Sequence, residues 1–409
     1  MKLHRSSLFA RLAVAAFLAA TAILILGATH TANADAAFQK WVRDFRNVAA
    51  RSGVSTKTYD AVFATIRVPD RDIIGRMGNQ AEFEFRIWDY MDSSVSEERV
   101  TNGRLMRRKW ANVLAQIERR YHVDRDVVLA VWGMETRYGG YMGDHNVIEA
   151  LATLAYGAPR RKKFWRSELI NALKIVQAGH IRHTDMVGSW AGAMGHTQFM
   201  PSSWQKFAAD YDNDGRKDIW TNIPDALAST ANYLNRHGWQ RGKTWGYEVR
   251  LPAGFNKGLE GKDGITLGKW QSLGVRRVNG KPFPRGADRA VLKFPGGKDG
   301  PAFLMLRNFY IIKRYNNSDA YALAVGHLAD RIAGFGPFVQ QWPRGYTPLD
   351  DDGRKEVQQR LKALGFYDAP VSGAVGPKTR KAISDYQKRA GIEVNGEASA
   401  ELLKHLRGG

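Results

Sequence analysis

From about Phe38 to His237, apolar residues recur at three- and four-residue spacing with few strand-like alternations. Such a period puts one apolar stripe on each of many helices, and those stripes must bury against one another. The fold class is therefore mainly α. At 409 residues the chain exceeds what one core usually organises, so two or three domains are expected. Residues 245–300 change character, with frequent Gly and Pro and with alternating runs at Tyr247–Leu251 and Ala290–Phe294, which reads as a small β insertion. Helix resumes near Ser318. Two prolines and a glycine between Gln340 and Pro348 mark residues 340–349 as a linker. Residues 350–409 then read as three short helices on one small core, carried by Val357, Leu361 and Leu364, by Ala382, Ile383 and Tyr386, and by Leu402, Leu403 and Leu406.

The N-terminus carries Lys2, Arg5 and Arg11, an apolar stretch through Leu24-Ile25-Leu26, and then Ala32-Asn33-Ala34. Residues 1–34 are expected to be a signal peptide cleaved near Asp35, with a retained membrane anchor as the alternative. The main region is then 35–339. There are no cysteines, which excludes disulfides, thiolate metal sites and a lipid-modified N-terminus. A periplasmic protein with no stable membrane insertion after cleavage is the expectation. Removing Lys2, Arg5 and Arg11 takes the formal charge from +21 to +18, enough to favour polyanions. The basic residues are scattered rather than gathered on one reading helix, so a nucleic acid partner is not expected.

Residues 127–134, Val-Val-Leu-Ala-Val-Trp-Gly-Met, carry no charge, and Glu135 follows at once. A carboxyl placed there is partly desolvated, which raises its pKa and keeps it protonated near neutral pH as a general acid. An exposed glutamate paired with Arg137 is the plain alternative. Downstream, Gly188–Ser203 is rich in glycines that permit close backbone approach. Within it Gln198 can hydrogen-bond an amide or a sugar, and Pro201-Ser202-Ser203 looks like a helix start.

The string Gly133-Met134-Glu135-Thr136-Arg137-Tyr138-Gly139, then Ala150–Leu154, Gly192-Ala193-Met194-Gly195 and Gln198–Ser203, closely resembles the lytic murein transglycosylase B family. The likeness continues through Ala231-Asn232-Tyr233, His237-Gly238-Trp239 and Asn308-Phe309-Tyr310 to Arg314-Tyr315-Asn316. It spans roughly residues 38–335, far more than a lone short motif. The resemblance implies a lysozyme-like helical catalytic domain in which Glu135 is the sole catalytic carboxylate. It also implies that Ser189, Gln198, Tyr233, Tyr315, Asn316 and Tyr321 bind substrate, with Tyr90 as a looser match.

Ordinary glycosidases use two carboxylates, whereas this motif offers one. The resemblance implies that Glu135 protonates the bond between N-acetylmuramic acid and N-acetylglucosamine and then takes the muramyl 6-hydroxyl proton, leaving 1,6-anhydro ends. No catalytic cofactor is implied. A hydrolytic muramidase, in which water is the nucleophile, and a non-catalytic wall-binding scaffold are the alternatives.

Asp210-Tyr211-Asp212-Asn213-Asp214-Gly215-Arg216 places carboxylates at loop positions one, three and five and Gly at six. That spacing converges oxygens on a hard cation, with the Arg216 carbonyl at position seven. Position twelve is Thr221 rather than Glu. Asp225, matching an aspartate of the transglycosylase relatives, is the candidate to supply the missing ligand for a structural calcium. A solvated turn without metal is the alternative. Finally, Leu364-Gly365-Phe366-Tyr367, Gly376-Pro377-Lys378-Thr379 and Tyr386-Gln387 within residues 350–409 resemble the small peptidoglycan-binding domain found beside many wall-active enzymes. The partner so implied is the glycan strand of peptidoglycan.

Overall fold

The computed structural model describes residues 36–78 and 86–408. The signal-peptide reading of residues 1–34 lies outside the described residues. The chain divides into two compact units, one within residues 1–80 and 143–206, the other within 81–142 and 207–409. The helical stretch read as one body is thus shared between two units. Periodicity reports local structure and carries no mark of where a chain leaves one core for another.

In the first unit a helix over residues 36–51 lays Phe38 and Trp41 against Tyr156, with ring centroids 5.3 and 5.9 Å apart. Helix Val147–Gly157 is almost wholly buried and packs against helix Lys162–Gln177. Its start is capped by Asn146, whose side chain accepts from the amides of Ile148 and Glu149. Just before it, β1 (His145–Asn146) pairs antiparallel with β2 (Val187–Gly188). Helix Pro201–Phe207 begins where Pro201 and Ser202 suggested. The buried Glu168 accepts from both the Ser202 amide at 2.8 Å and the Ser202 hydroxyl at 2.7 Å, an acid at a helix N-terminus.

The centre of the second unit is helix Arg125–Thr136, buried from Val127 to Gly133. A helix apolar all round must be enclosed, and it packs against helices Glu97–Lys109, Ile223–Arg236 and Asp319–Ala333. The β insertion is a four-stranded antiparallel sheet in the order β4-β3-β6-β5. Its strands are β3 (Gly246–Arg250), β4 (Arg276–Arg277), β5 (Val291–Lys293) and β6 (Ala302–Met305). The sheet therefore runs five residues beyond the expected end of the insertion. β6 lies inside the sheet and all four of its residues are buried, so it lacks the alternation by which a half-exposed strand is recognised. Helix also resumes earlier than expected, at Arg307–Tyr315, with Ser318 capping the following helix.

Residues 350–408 form three helices, Asp351–Ala363, Pro377–Ala390 and Ala400–Leu406. Val357, Leu361, Ala382, Ile383, Leu402, Leu403 and Leu406 build their core. Leu364 does not join it: it is the residue after the first helix and is 53% exposed. Residues 340–349, expected as a linker, are held along their length. Gln340 donates to Glu248, Trp342 stacks on Phe303, and Arg344 grips Asp92 with two bonds of 2.7 and 2.8 Å.

Candidate active site

Glu135 sits in the last turn of helix Arg125–Thr136 and is half-buried. The next residues leave the helix abruptly. Arg137 and Tyr138 both take left-handed backbone, with φ of 52° and 61°, an unusual choice for side chains with a Cβ. Thr136 holds this turn, its buried hydroxyl accepting from the Gly139 amide at 3.1 Å and donating to the Trp132 carbonyl at 3.3 Å. Tyr138 then folds back over the helix, meets Trp132 edge-on at 5.6 Å and donates to the Arg99 carbonyl at 3.0 Å. Gly133 makes room for it, since a Cβ there would lie 2.5 Å from the Tyr138 ring. Gly133→Ala is therefore expected to lift Tyr138 from its seat and shift Glu135, at a cost of about 1–3 kcal/mol. Thermal melting and kcat should fall together.

A tyrosine wall surrounds the carboxyl. Tyr321, buried on helix Asp319–Ala333, donates its hydroxyl to Glu135 Oε1 at 2.6 Å. Tyr315 and Tyr90 are near enough that the charge of Glu135 helps raise their phenol pKa values, burial being the larger cause in each. Tyr233 follows behind Tyr315, ring centroids 4.8 Å apart, with its hydroxyl donated to the Arg314 carbonyl. Asn316 caps helix Arg307–Tyr315 and is exposed. The second unit thus brings Glu135, Tyr90, Tyr233, Tyr315 and Tyr321 into one cluster.

Burial raises the Glu135 carboxyl from 4.5 to about 7, against the lowering effect of the Tyr321 hydrogen bond. The alternative of a pairing with Arg137 does not form: Arg137 is exposed, and no salt bridge reaches Glu135 among the described residues. A proton held at neutral pH beside an aromatic wall can be donated to a leaving oxygen.

Ser189 and Gln198 belong to the first unit, on a loop folded tightly on itself. The Ser189 hydroxyl accepts from the Ala193 amide at 3.0 Å, and Gln198, with left-handed φ of 49°, donates its side-chain amide to the Gly195 carbonyl at 2.9 Å. Two bridges, Gly188 to Met194 and Met194 to Phe199, close the loop. A Cβ at Gly188 would sit 2.1 Å from the Ala193 carbonyl oxygen, so the glycines serve backbone-to-backbone contact here.

In the acidic loop, oxygens of Asp210, Asp212 and Asp214 lie within 4.8 Å of one another. Left-handed Asn213 and Gly215 make the turn. Asp210 Oδ2 accepts from the Gly215 amide at 2.9 Å, while Oδ1 is buried with no hydrogen-bond partner. The Arg216 side chain pairs with Asp214 at 3.1 Å. Asp225 stands apart from the trio: its two oxygens accept the Tyr211 amide at 2.7 Å and the Asp218 amide at 2.8 Å, bracing both ends of the loop. Burial, with Asp212 and Asp210 adding to it, pushes the Asp225 carboxyl up to about 6.

Some of this the residues alone did not disclose. Thr230 hydrogen-bonds Tyr315, and Tyr138 with Gly133 sets the end of helix Arg125–Thr136. Gly133 was visible as an oddity inside a helix; nothing in the sequence pairs it with Tyr138.

Residues 37–330 match the transglycosylase SLT domain and residues 350–406 a putative peptidoglycan binding domain. The crystal structure of SltB3 from Pseudomonas aeruginosa in complex with NAG-anhNAM-pentapeptide is similar to 90% of this chain and 99% of that one, with 45% identity and a TM-score of 0.73. The membrane-bound lytic murein transglycosylase B of Escherichia coli (strain K12) is 31% identical over 249 residues, 60% of this chain and 66% of that enzyme. The Escherichia coli lytic transglycosylase Slt35 in complex with calcium is 27% identical, with a TM-score of 0.61, over 73% of this chain and 92% of its own. With the domain match extending over most of its length, the chain belongs to the SLT-domain transglycosylase family.

Proposed function

We propose that the chain is a lytic transglycosylase, cleaving the β-1,4 bond between N-acetylmuramic acid and N-acetylglucosamine with Glu135 as its one acid and base. The observation that carries this reading is a half-buried carboxyl raised to about 7 and hydrogen-bonded by Tyr321. The protonated Glu135 gives its proton to the glycosidic oxygen as the C1–O bond breaks. The resulting carboxylate takes the proton of the muramyl 6-hydroxyl while that oxygen bonds to C1, closing the 1,6-anhydro ring without adding water. Glu135 ends protonated, as it began. Tyr315 and Tyr90 offer ring faces to the sugars, with the buried Tyr233 backing Tyr315, and Ser189, Gln198 and Asn316 are the polar groups assigned to orienting them.

Mass spectrometry of muropeptides released from sacculi is expected to give anhydro ends. Reducing ends would instead make water the nucleophile and the enzyme a muramidase. Export to the periplasm, by the signal peptide expected over residues 1–34, would bring it to this substrate.

For the acidic loop the reading is a structural calcium held by Asp210, Asp212 and Asp214, with Asp225 and the loop amides holding the ring of ligands in shape. The unpartnered Asp210 Oδ1 supports it, since a buried carboxylate oxygen without a donor is costly unless a cation meets it. Calcium at a hundredfold excess over Kd should then stabilise the fold by about 2.7 kcal/mol. A melting temperature that rises with calcium in the native chain and not in Asp210→Ala is the expected result, whereas indifference of both to calcium and chelator speaks for a plain polar turn.

A further inference from the structure

Helix Arg307–Tyr315 reaches the tyrosine wall with its last residue, but its exposed side and the neighbouring sheet enclose a separate depression of about 710 Å³. Neither Glu135 nor any of the candidate tyrosines lines it. Its charge is unbalanced: five cations, Lys243, Arg289, Lys293, Arg307 and Arg314, line it against two carboxylates, Asp263 and Asp288. Lys243 is held by Asp288 at 2.8 Å and Lys293 by Asp319 at 2.6 Å. Arg289, Arg307 and Arg314, which also line it, form no salt bridge among the described residues.

The depression also touches the catalytic wall. His237 lines it and stacks on Tyr233 at 4.2 Å, and Tyr233 meets Tyr315 at 4.8 Å, the residue that senses Glu135. One row of aromatic rings therefore separates three unpaired guanidiniums from the carboxyl that cuts the glycan. Peptidoglycan carries its anionic groups on the peptides that branch from the muramyl sugars, as carboxylates separated by amides. Guanidinium forks match carboxylates with two parallel bonds each, and the Tyr310 hydroxyl in the same wall suits an amide.

We propose that Arg289, Arg307 and Arg314 form a subsite for the carboxylates of a stem peptide on the strand being cleaved, an inference that rests on the peptidoglycan-cleaving activity proposed above. A concave, walled site of this size fits a short branched peptide better than a flat lipid surface.

The test uses the full chain and the stem tetrapeptide released from sacculi by an amidase, titrated by calorimetry. Arg289→Glu with Arg307→Glu is chosen because both side chains are exposed; Arg314 is left alone because its carbonyl holds Tyr233. The double variant should bind the tetrapeptide at least about tenfold more weakly and show a raised KM on peptide-bearing strands, with cleavage of peptide-stripped strands unchanged. Unaltered tetrapeptide affinity overturns the proposal, as does a native chain that binds inorganic phosphate or anionic vesicles as tightly as the peptide. Because binding is read without turnover, failure of the subsite and failure of Glu135 as the catalyst are separate results.

Discussion

Glu135→Gln is expected to lose glycan cleavage by a factor of about 10² to 10⁴, the share a positioned acid and base contributes, while sacculus binding persists. Gln keeps the shape of Glu and an oxygen for the Tyr321 hydroxyl, so the loss reports the missing proton rather than a collapsed site. Full activity in this variant would sink the assignment. Stability supplies an independent readout with a defined sign. The folded carboxyl titrates at about 7 rather than 4.5, so folding favours its protonated form. That contribution is complete below pH 4.5 and is lost as pH rises through 7. The shift corresponds to up to about 3 kcal/mol. Glu135→Gln, which cannot ionise, should therefore melt higher than the native chain at pH 8 and level with it at pH 4. In the active enzyme the same titration sets the alkaline limb of kcat/KM near 7. Tyr321→Phe moves that limb upward, because the lost hydrogen bond had favoured the carboxylate.

How far the residues alone could carry the site follows from what each needs. Glu135 was legible because an uncharged run ending in one acid predicts desolvation wherever the helix packs. The convergence of Asp210, Asp212 and Asp214 was legible because spacing along a turn is a local property. The three C-terminal helices were legible through their apolar stripes, apart from Leu364, whose period matched although the helix ends before it. The clustering of Tyr90, Tyr233, Tyr315 and Tyr321 came from the resemblance and not from any pattern, since the four lie on four separate helices and only Tyr315 and Tyr321 are near one another in the chain. β6 was missed because an enclosed strand loses its alternation. The left-handed turn at Arg137 and Tyr138 defeats propensity altogether, being maintained by Thr136 and by the space over Gly133. Functional geometry is where local preference is most often overridden.

The joint between the C-terminal module and the catalytic helices was also invisible in sequence, and it alters what truncation should do. Asp89, 5% exposed in its side chain, pairs with Arg86 at 3.0 Å and with Arg380 of the module, and Glu397 of the module takes the same two arginines. Arg86 and Asp89 stand at helix Ile87–Ser94, which carries Tyr90. The module is thus clamped beside the active site rather than swinging on a tether, so its effect on local substrate concentration comes with an effect on the helix itself. Deleting residues 350–409 removes one arginine and one acid together and leaves Asp89 paired with Arg86. Asp89→Ala instead leaves two guanidiniums sharing one acid in a half-enclosed site, Arg86 being 35% and Arg380 26% exposed, which costs about 1–3 kcal/mol. The point substitution should therefore lower the melting temperature more than removal of the whole module. It should also slow cleavage of soluble glycan fragments as the Tyr90 helix loosens, while the deletion acts chiefly on sacculus binding. Equal melting temperatures for Asp89→Ala and the native chain would mean that the four charges merely lie near one another and clamp nothing.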